Sequence, residues 1–219
     1  MRIEIGRKLE KLIKSRINRL FINKDDFTIV SNNCWGTFIY KKYGLPYQSP
    51  FINAIIFAPD YIELLENFSI QTLEKISFIE HSESKYRNEL IEAEYYETGY
   101  PIGIIDGKYE IHFLHYTSAE DARLKWLKRI KRMNLNKLIF KLSDGDLFED
   151  AMAKRFEDLP FKNKVAFVSK DFPECKSCIT LEKFRGADRV RDEWKNSKKE
   201  FDVTDFINNM HIDEELTDA

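Results

Sequence analysis

The order of apolar runs and helical patterns along the chain is the feature that most restricts its fold. A β-branched run at 27–30 (FTIV) precedes the cap-forming residues SNNC and a helical pattern that ends near Gly44. KLIFKL at 137–142 and KVAFVS at 164–169 flank the helical pattern LFEDAMAKRFEDL, and CITL at 178–181 is interpreted as a further strand. Strands that alternate with helices pair in parallel through helical crossovers. The sequence therefore predicts a layered α/β/α domain with a mainly parallel sheet.

A β-hairpin is predicted between residues 100 and 116. Two strand-like runs, YPIGIID and YEIHFLHY, flank Asp106 and Gly107, a dipeptide that tolerates the positive φ angles of a tight turn. The segment 69–98 gives no clear pattern. The expected fold class is thus α/β, with the hairpin as an insertion.

The chain divides into a basic amphipathic helix at 1–24 and a single α/β domain at 25–219. Apolar side chains recur at helical spacing in the first segment, at Leu9, Leu12, Ile13, Ile17 and Leu20. Eight Lys and Arg minus two Glu give this segment a charge of +6, without the α-amino group. Such a helix docks on an anionic membrane surface or a partner, or it packs its apolar stripe on the domain. The sequence favours the second arrangement.

Composition and charge exclude several classes of protein. With 43% hydrophobic and 14% aromatic residues, the chain can bury a core. The 35 Lys and Arg against 37 Asp and Glu argue against a nucleic-acid partner. Three cysteines and the absence of a signal-peptide pattern or a membrane-spanning apolar run predict a cytoplasmic protein. Docking of the opening helix would make it a peripheral protein at the inner face of the membrane.

The 31–36 loop follows a predicted parallel strand, and ligands gather at such strand ends. There Cys34 lies near a predicted helix N-terminus, where the helix dipole and free amides stabilise a thiolate nucleophile. His115 is its predicted base, and Asn33 would help to hold an oxyanion. Predicted substrate-binding residues are Ser31, Asn32, Trp35 and His112. In the alternative interpretation, Cys34 is a small buried residue and the histidines are structural.

An acidic pair, Asp144 and Asp146, directly follows the predicted strand at 137–142. Carboxylates in this arrangement hold a divalent cation, Mg²⁺ or Mn²⁺, against the diphosphate of an activated sugar. A turn former and a helix cap would use the same residues without metal. Cys175 and Cys178 form a lone C-x-x-C without the second pair that zinc requires, so they are interpreted as incidental thiols.

Several longer phrases of the sequence resemble a family of bacterial proteins. They are SNNCWG (31–36), GLPYQSPF (44–51), IHFLHY (111–116) and LPFKNKV (159–165), and the match runs in order over about residues 27–210. The family is often described as exopolysaccharide or capsular polysaccharide biosynthesis proteins. The resemblance implies an α/β fold and a role in making or decorating a surface glycan.

Three functions remain open at this point. The first is a group-transferring enzyme that acts on a nucleotide-activated or lipid-linked sugar at the cytoplasmic membrane face. The second is a cysteine-dependent acyl transferase or hydrolase with Cys34 as nucleophile. The third is a non-catalytic assembly or regulatory protein of the same pathway. The sequence leaves the oligomeric state open.

Overall fold

Strands and helices alternate along the chain in the structure, a computed structural model that describes residues 2–92 and 99–212. In chain order the elements are α1 (Arg2–Arg19), β1 (Thr28–Ser31), α2 (Trp35–Tyr43), α3 (Ala58–Glu66), α4 (Ile70–Glu74), β2 (Ile76–Ile79), α5 (Arg87–Glu92), β3 (Ile102–Ile105), β4 (Tyr109–His112), α6 (Ala119–Ile130), β5 (Leu138–Ser143), α7 (Asp150–Asp158), β6 (Lys164–Val168), β7 (Cys178–Thr180), α8 (Glu193–Asn196) and α9 (Val203–Asn208). Short 3₁₀ helices lie at His81–Glu83 and Glu182–Phe184. Positions 1, 93–98 and 213–219 lie outside the described residues. They belong to the predicted opening helix, to the segment without a clear pattern and to the predicted domain, respectively.

Four parallel strands form the main sheet, in the order β1-β5-β6-β7, which confirms the predicted parallel sheet. Thr28 at the start of β1 lies opposite Leu138 at the start of β5. The strands β6 and β7 extend the sheet on the other side of β5. The four predicted apolar runs supply these strands, and their carboxyl ends all lie at one edge of the sheet.

Side chains alternate between the two faces of β5, so this strand separates two apolar cores. Leu138, Phe140 and Leu142 pack in one core together with residues of α3, α6 and α7. Ile139 packs in the other core, with residues of α2 and α9. Helices on both faces confirm the predicted α/β/α layers. Lys141 shares the face of Ile139 and is fully buried, which is unusual for a lysine.

The predicted hairpin is present, with positive φ at both turn residues, 50° at Asp106 and 68° at Gly107. It forms a separate antiparallel sheet in the order β2-β3-β4. Sequence analysis did not predict β2, because its ISFI run is short and lies in the segment without a clear pattern. The strand β4 ends at His112, so His115 lies beyond it rather than on the predicted strand.

Backbone hydrogen bonds link the small sheet to the main sheet and thereby position the site. Ile55 exchanges two hydrogen bonds with His112, at 2.9 and 2.8 Å. The N–H of Ile56 donates to the carbonyl of Asn32, directly after β1, at 2.9 Å. The end of β4 is therefore held beside the carboxyl end of β1.

Helix α1 contacts the rest of the protein through α2, where Asn18 Nδ2 donates to the carbonyl of Lys42 at 3.0 Å. The side chains of its apolar stripe are half or more exposed: Leu9, Leu12, Ile13, Ile17 and Leu20. The favoured expectation, an apolar stripe packed on the domain, is therefore wrong. In the part of the chain that the structure describes, no helix combines the length and the apolar character that crossing a membrane requires.

A disulfide joins Cys175 and Cys178, whose Cα atoms lie 5.3 Å apart. The expectation of two incidental thiols is therefore wrong for this structure, because the loop before β7 brings both sulfur atoms together. Cys34 is a free cysteine.

Replacement of Gly103 by Ala should destabilise the small sheet. A Cβ atom at this position in β3 would lie 2.9 Å from Phe113 Cε2 and 3.0 Å from Ile111 Cγ2. Overpacking of this kind costs about 1–3 kcal/mol, which urea unfolding would measure as a lower midpoint. Gly6→Ala is the matched control, since nothing lies within 4 Å of a Cβ added there. Equal stability of the two variants would contradict the close packing of Gly103.

Candidate functional site

A cleft lies at the carboxyl ends of β1 and β5, where open α/β sheets bind ligands. It consists of two adjoining hollows, of about 510 Å³ and about 430 Å³, which share Tyr100, Asp146 and Arg189 in their walls. The larger hollow is also lined by Asn33, Cys34, His115, Ser143 and Glu193, and the smaller one by Phe57, Leu90 and His112. The two hollows together are termed the sheet-end cleft. The 31–36 loop, the 143–146 loop and the end of the hairpin meet there.

The predicted residues of the 31–36 loop divide into two groups. Asn33 and Cys34 line the cleft. Ser31, Asn32 and Trp35 are buried beneath it, where Asn32 Nδ2 donates to the carbonyl of Ser143 at 3.4 Å and Trp35 packs in the second core. The geometry gives these three residues a supporting position, and their predicted contact with substrate receives no support from it.

A buried ion pair lies under the larger hollow. Lys141 in β5 and Glu193 at the start of α8 contact each other through Nζ and Oε1, and neither side chain is more than 2% exposed. The same oxygen of Glu193 accepts hydrogen bonds from Asn33 Nδ2 at 2.6 Å and Ser143 Oγ at 3.1 Å. Lys141 also donates to Asn33 Oδ1 at 3.0 Å. Asn33 is thus fixed by both charges, and only part of its side chain remains for an oxyanion.

The pKa values of this pair shift in the directions that burial and attraction dictate. Burial lowers the pKa of Lys141 more than the neighbouring Glu193 raises it. For Glu193, burial acts to raise the pKa, but the charge and hydrogen bond of Lys141 outweigh it, so the pKa is lowered. Neither residue was predicted from the sequence. The signal for Lys141 was a lysine inside the apolar KLIFKL strand.

Cys34 caps the N-terminus of α2, as predicted, but its surroundings disfavour a thiolate. Burial and the charge of Glu193 raise its pKa to about 11, against smaller opposing effects of Lys141 and Lys41. This direction is opposite to the lowering expected from the helix dipole. His115 is an exposed residue of the same hollow, and no hydrogen bond joins it to Cys34 in the described structure.

The two predicted metal-binding aspartates have different surroundings. Asp144 accepts hydrogen bonds from the amides of Ser169 at 2.5 Å and Val190 at 2.8 Å, one on each oxygen, so it holds two neighbouring loops. Asp146 lies in the cleft wall, with Oδ1 3.4 Å from Arg189 Nη1. Within residues 2–92 and 99–212, no three or more His, Cys, Asp or Glu side chains come together in a way that could hold a metal ion.

Asp146 combines backbone strain with an altered pKa. Asp146 and Leu147 have φ of 55° and 67°, in the left-handed region that costs a residue with a side chain about 1–3 kcal/mol. The carbonyl of Asp146 accepts from the N–H of Ala58 at 2.9 Å, which helps to hold the turn. Burial, assisted by the charge of Glu193, raises the pKa of Asp146 and outweighs the lowering by Arg189 and Lys141. A strained cleft carboxyl group with a raised pKa is typical of a general acid or base.

The smaller hollow contains the buried ring of His112, a predicted substrate-binding residue. Tyr100 Oη lies 3.2 Å from His112 Nδ1, and Phe57 stacks on the imidazole with 4.9 Å between ring centres. The ring atom Nε2 is buried without a hydrogen-bond partner in the described structure. Burial lowers the pKa of His112 to about 3, so the ring is neutral at pH 7. This nitrogen lies 3.8 Å from Oε2 of the buried Glu110.

An aromatic pair gives the larger hollow an apolar wall. The rings of Phe38 and Trp194 stack with 4.0 Å between their centres and 9° between their planes. Trp194 Nε1 is buried and has no hydrogen-bond partner in the described residues. The hollow therefore places an apolar surface next to polar groups, the combination by which aromatic residues hold amphipathic ligands.

Separate removal of either charge of the buried pair should destabilise the protein strongly. Lys141→Met leaves the carboxylate of Glu193 buried, and Glu193→Gln leaves the ammonium of Lys141 buried but keeps an acceptor for Asn33. Loss of one partner of a buried pair costs about 3–5 kcal/mol. The double variant Lys141→Met/Glu193→Gln should lose less than the sum of the single losses, measured by denaturant unfolding. Additive losses would show that the two charges do not interact.

The stability of the protein should decrease as the pH is lowered, because of His112. The unfolded state binds a proton near pH 6.5 and the folded state only near pH 3, so the unfolded state gains protons first as the pH falls. Between pH 7 and pH 5 this difference should lower the free energy of unfolding by about 2 kcal/mol. His112→Gln keeps an acceptor for Tyr100 and cannot be protonated, so its stability should fall less over this range. Parallel profiles for the two proteins would exclude His112 as the cause.

Comparison with known proteins places the chain in a family. A family model described as a domain of unknown function (DUF1919) matches residues 5–213. An uncharacterised protein of Haemophilus influenzae (strain ATCC 51907 / DSM 11121 / KW20 / Rd) is 31% identical over 210 residues, which cover 89% of this chain and 94% of that protein. Neither description gives an activity or a pathway. The family match includes both sheets and every residue of the sheet-end cleft, and the chain therefore belongs to the DUF1919 family.

Proposed function

We propose that this protein is a group-transferring enzyme of surface-polysaccharide biosynthesis that acts on a sugar or glycan intermediate in the sheet-end cleft. The observation that carries the proposal is the position of Asp146, a carboxyl group with a raised pKa on strained backbone in the cleft wall. The resemblance of the sequence to exopolysaccharide biosynthesis proteins supports the pathway.

The walls of the cleft support an activated sugar as substrate. The aromatic wall of Phe38 and Trp194 suits the apolar face of a sugar ring. Arg189 contacts Asp146 at 3.4 Å and Asp188 at 3.9 Å, and such long contacts leave guanidinium donors for an anion. Guanidinium groups bind phosphate through paired hydrogen bonds. A nucleotide-activated or lipid-linked sugar carries both features, a sugar ring and a phosphate.

The chemistry that fits this arrangement is transfer of the sugar to an acceptor hydroxyl. Asp146 takes the proton of that hydroxyl, whose oxygen forms a bond to the anomeric carbon of the sugar. The bond between this carbon and the phosphate oxygen breaks, and the phosphate leaves with the electron pair. Arg189 neutralises the charge that develops on the phosphate. A raised pKa makes Asp146 a stronger base than an ordinary aspartate, which assists removal of the proton.

Cysteine-dependent acyl transfer draws less support from the same cleft. A thiol whose pKa is about 11 is protonated at neutral pH, and no hydrogen bond joins it to His115 among the described residues. Activation of a cysteine requires a base within hydrogen-bond reach or a lowered pKa. Neither condition is met at Cys34 in this arrangement.

Asp146→Asn should abolish polysaccharide production. In a source strain that lacks the gene, complementation with Asp146→Asn should restore about 1% of the wild-type surface polysaccharide or less, because loss of a general base costs about 10²–10⁴ in rate. Cys34→Ser should restore normal production. Asp150→Asn is the matched control, since Asp150 is an exposed aspartate of α7 outside the cleft.

Each result of this experiment has a defined meaning. Equal folding of the variants is established by their thermal unfolding. Normal production by Asp146→Asn would overturn the assignment of the base. Loss of production only in Cys34→Ser would replace the proposal with cysteine chemistry. Normal polysaccharide in the strain without the gene would overturn the pathway.

A further inference from the structure

Among the described side chains of helix α1, those on one side contact the rest of the protein. Ser15 and Asn18 are partly buried, whereas the other described residues between 9 and 20 are exposed. Asn18 donates to the carbonyl of Lys42, and a Cβ added to Gly44 would lie 3.0 Å from Ser15 Oγ. At about 100° per residue, Ser15 and Asn18 lie within about 60° of each other around the helix axis. This narrow polar face is the contact with α2.

The apolar face of α1 points away from that contact. On the same geometry, Leu9, Leu12, Ile13 and Ile17 centre about 165° from the face of Ser15 and Asn18. All four are at least 50% exposed. Leu20 and Phe21, which follow the helix, are 83% and 64% exposed. A continuous apolar stripe of this size on a soluble surface marks an interaction site.

Charge identifies the occupant of this stripe. Residues 1–24 carry +6, while the whole chain carries −2, so residues 25–219 carry −8. The positive charge of the chain is therefore concentrated in the segment that carries the exposed apolar stripe. Two copies that paired through α1 would bring two segments of +6 together, at a repulsive cost. An anionic surface is attracted by the same charge.

We propose that α1 binds an anionic membrane surface, with its axis in the plane of the membrane and its apolar stripe inserted between lipid headgroups. Its 18 residues give the helix a length of about 27 Å, and amphipathic helices of this type insert about 5–10 Å into the headgroup region. On the same geometry, Arg16 and Arg19 lie within about 100° of the centre of the stripe, where they contact the anionic headgroups. This inference does not depend on the proposed enzymatic activity.

Vesicle co-sedimentation of the full chain tests the proposal. The protein should sediment with phosphatidylcholine vesicles that contain about one third phosphatidylglycerol, and not with pure phosphatidylcholine vesicles. An increase in salt from about 0.05 M to about 0.5 M should weaken binding, because the charges are screened. Absence of binding to the anionic vesicles would overturn the proposal.

Two sets of variants separate the apolar and the electrostatic contributions. Leu9→Gln/Ile13→Gln/Ile17→Gln should abolish binding, while the control Ile91→Gln/Leu124→Gln/Ile212→Gln, which alters exposed apolar residues elsewhere, should bind normally. Arg16→Gln/Arg19→Gln should weaken binding about 30-fold. Its control is Lys131→Gln/Arg132→Gln, two exposed cations that follow α6. Equal effects of a set and its control would overturn the assignment of α1.

Self-association is the competing occupant and is measured in the same proteins without lipid. Sedimentation equilibrium should give a concentration-independent mass that the α1 variants do not change. A dimer that the apolar-stripe variant dissociates, together with no binding to anionic vesicles, would show that a second copy covers α1 and would overturn the membrane proposal.

Discussion

The buried contact between Lys141 and Glu193 holds together the parts of the chain that form the cleft. Lys141 lies on the central strand β5, Glu193 begins α8, and Asn33 follows β1, so three distant segments meet at one pair of charges. An isolated charge in this position would cost several kcal/mol, and each partner therefore fixes the other. The neighbours of Glu193 in sequence, including Trp194, take their places in the cleft wall from this contact.

Burial acts on two acidic groups of the cleft with opposite consequences for chemistry. It raises the pKa of the Cys34 thiol to about 11, which keeps the sulfur protonated and weakly nucleophilic at neutral pH. It also raises the pKa of the Asp146 carboxyl, which starts far below neutrality and so moves towards the range useful in proton transfer. The same environment therefore moves the pKa of the carboxyl group towards neutrality and the pKa of the thiol away from it.

Local sequence patterns predicted the helices and strands of the fold. The arrangement of side chains in the cleft depends instead on contacts between residues that are distant in sequence. The FTIV run and the Asp106-Gly107 turn are specified by neighbouring residues, and both are present. The pairing of Lys141 with Glu193 spans 52 positions, and no local pattern could reveal it. The sequence likewise does not show that two backbone amides donate to the oxygens of Asp144. The packed stripe was favoured for α1 for the same reason, since amphipathicity does not specify which face contacts the domain.

The left-handed backbone at Asp146 and Leu147 costs the protein stability at one corner of the cleft. A glycine at position 147 would adopt the same angles without the steric penalty of a side chain, so the leucine there is held by the rest of the fold. Substitutions that relieve this penalty would make the protein more heat-resistant and would also loosen the turn that aims Asp146. Substitutions that adapt the protein to a higher temperature would therefore have to lie elsewhere in the molecule, and the backbone strain at this corner would remain.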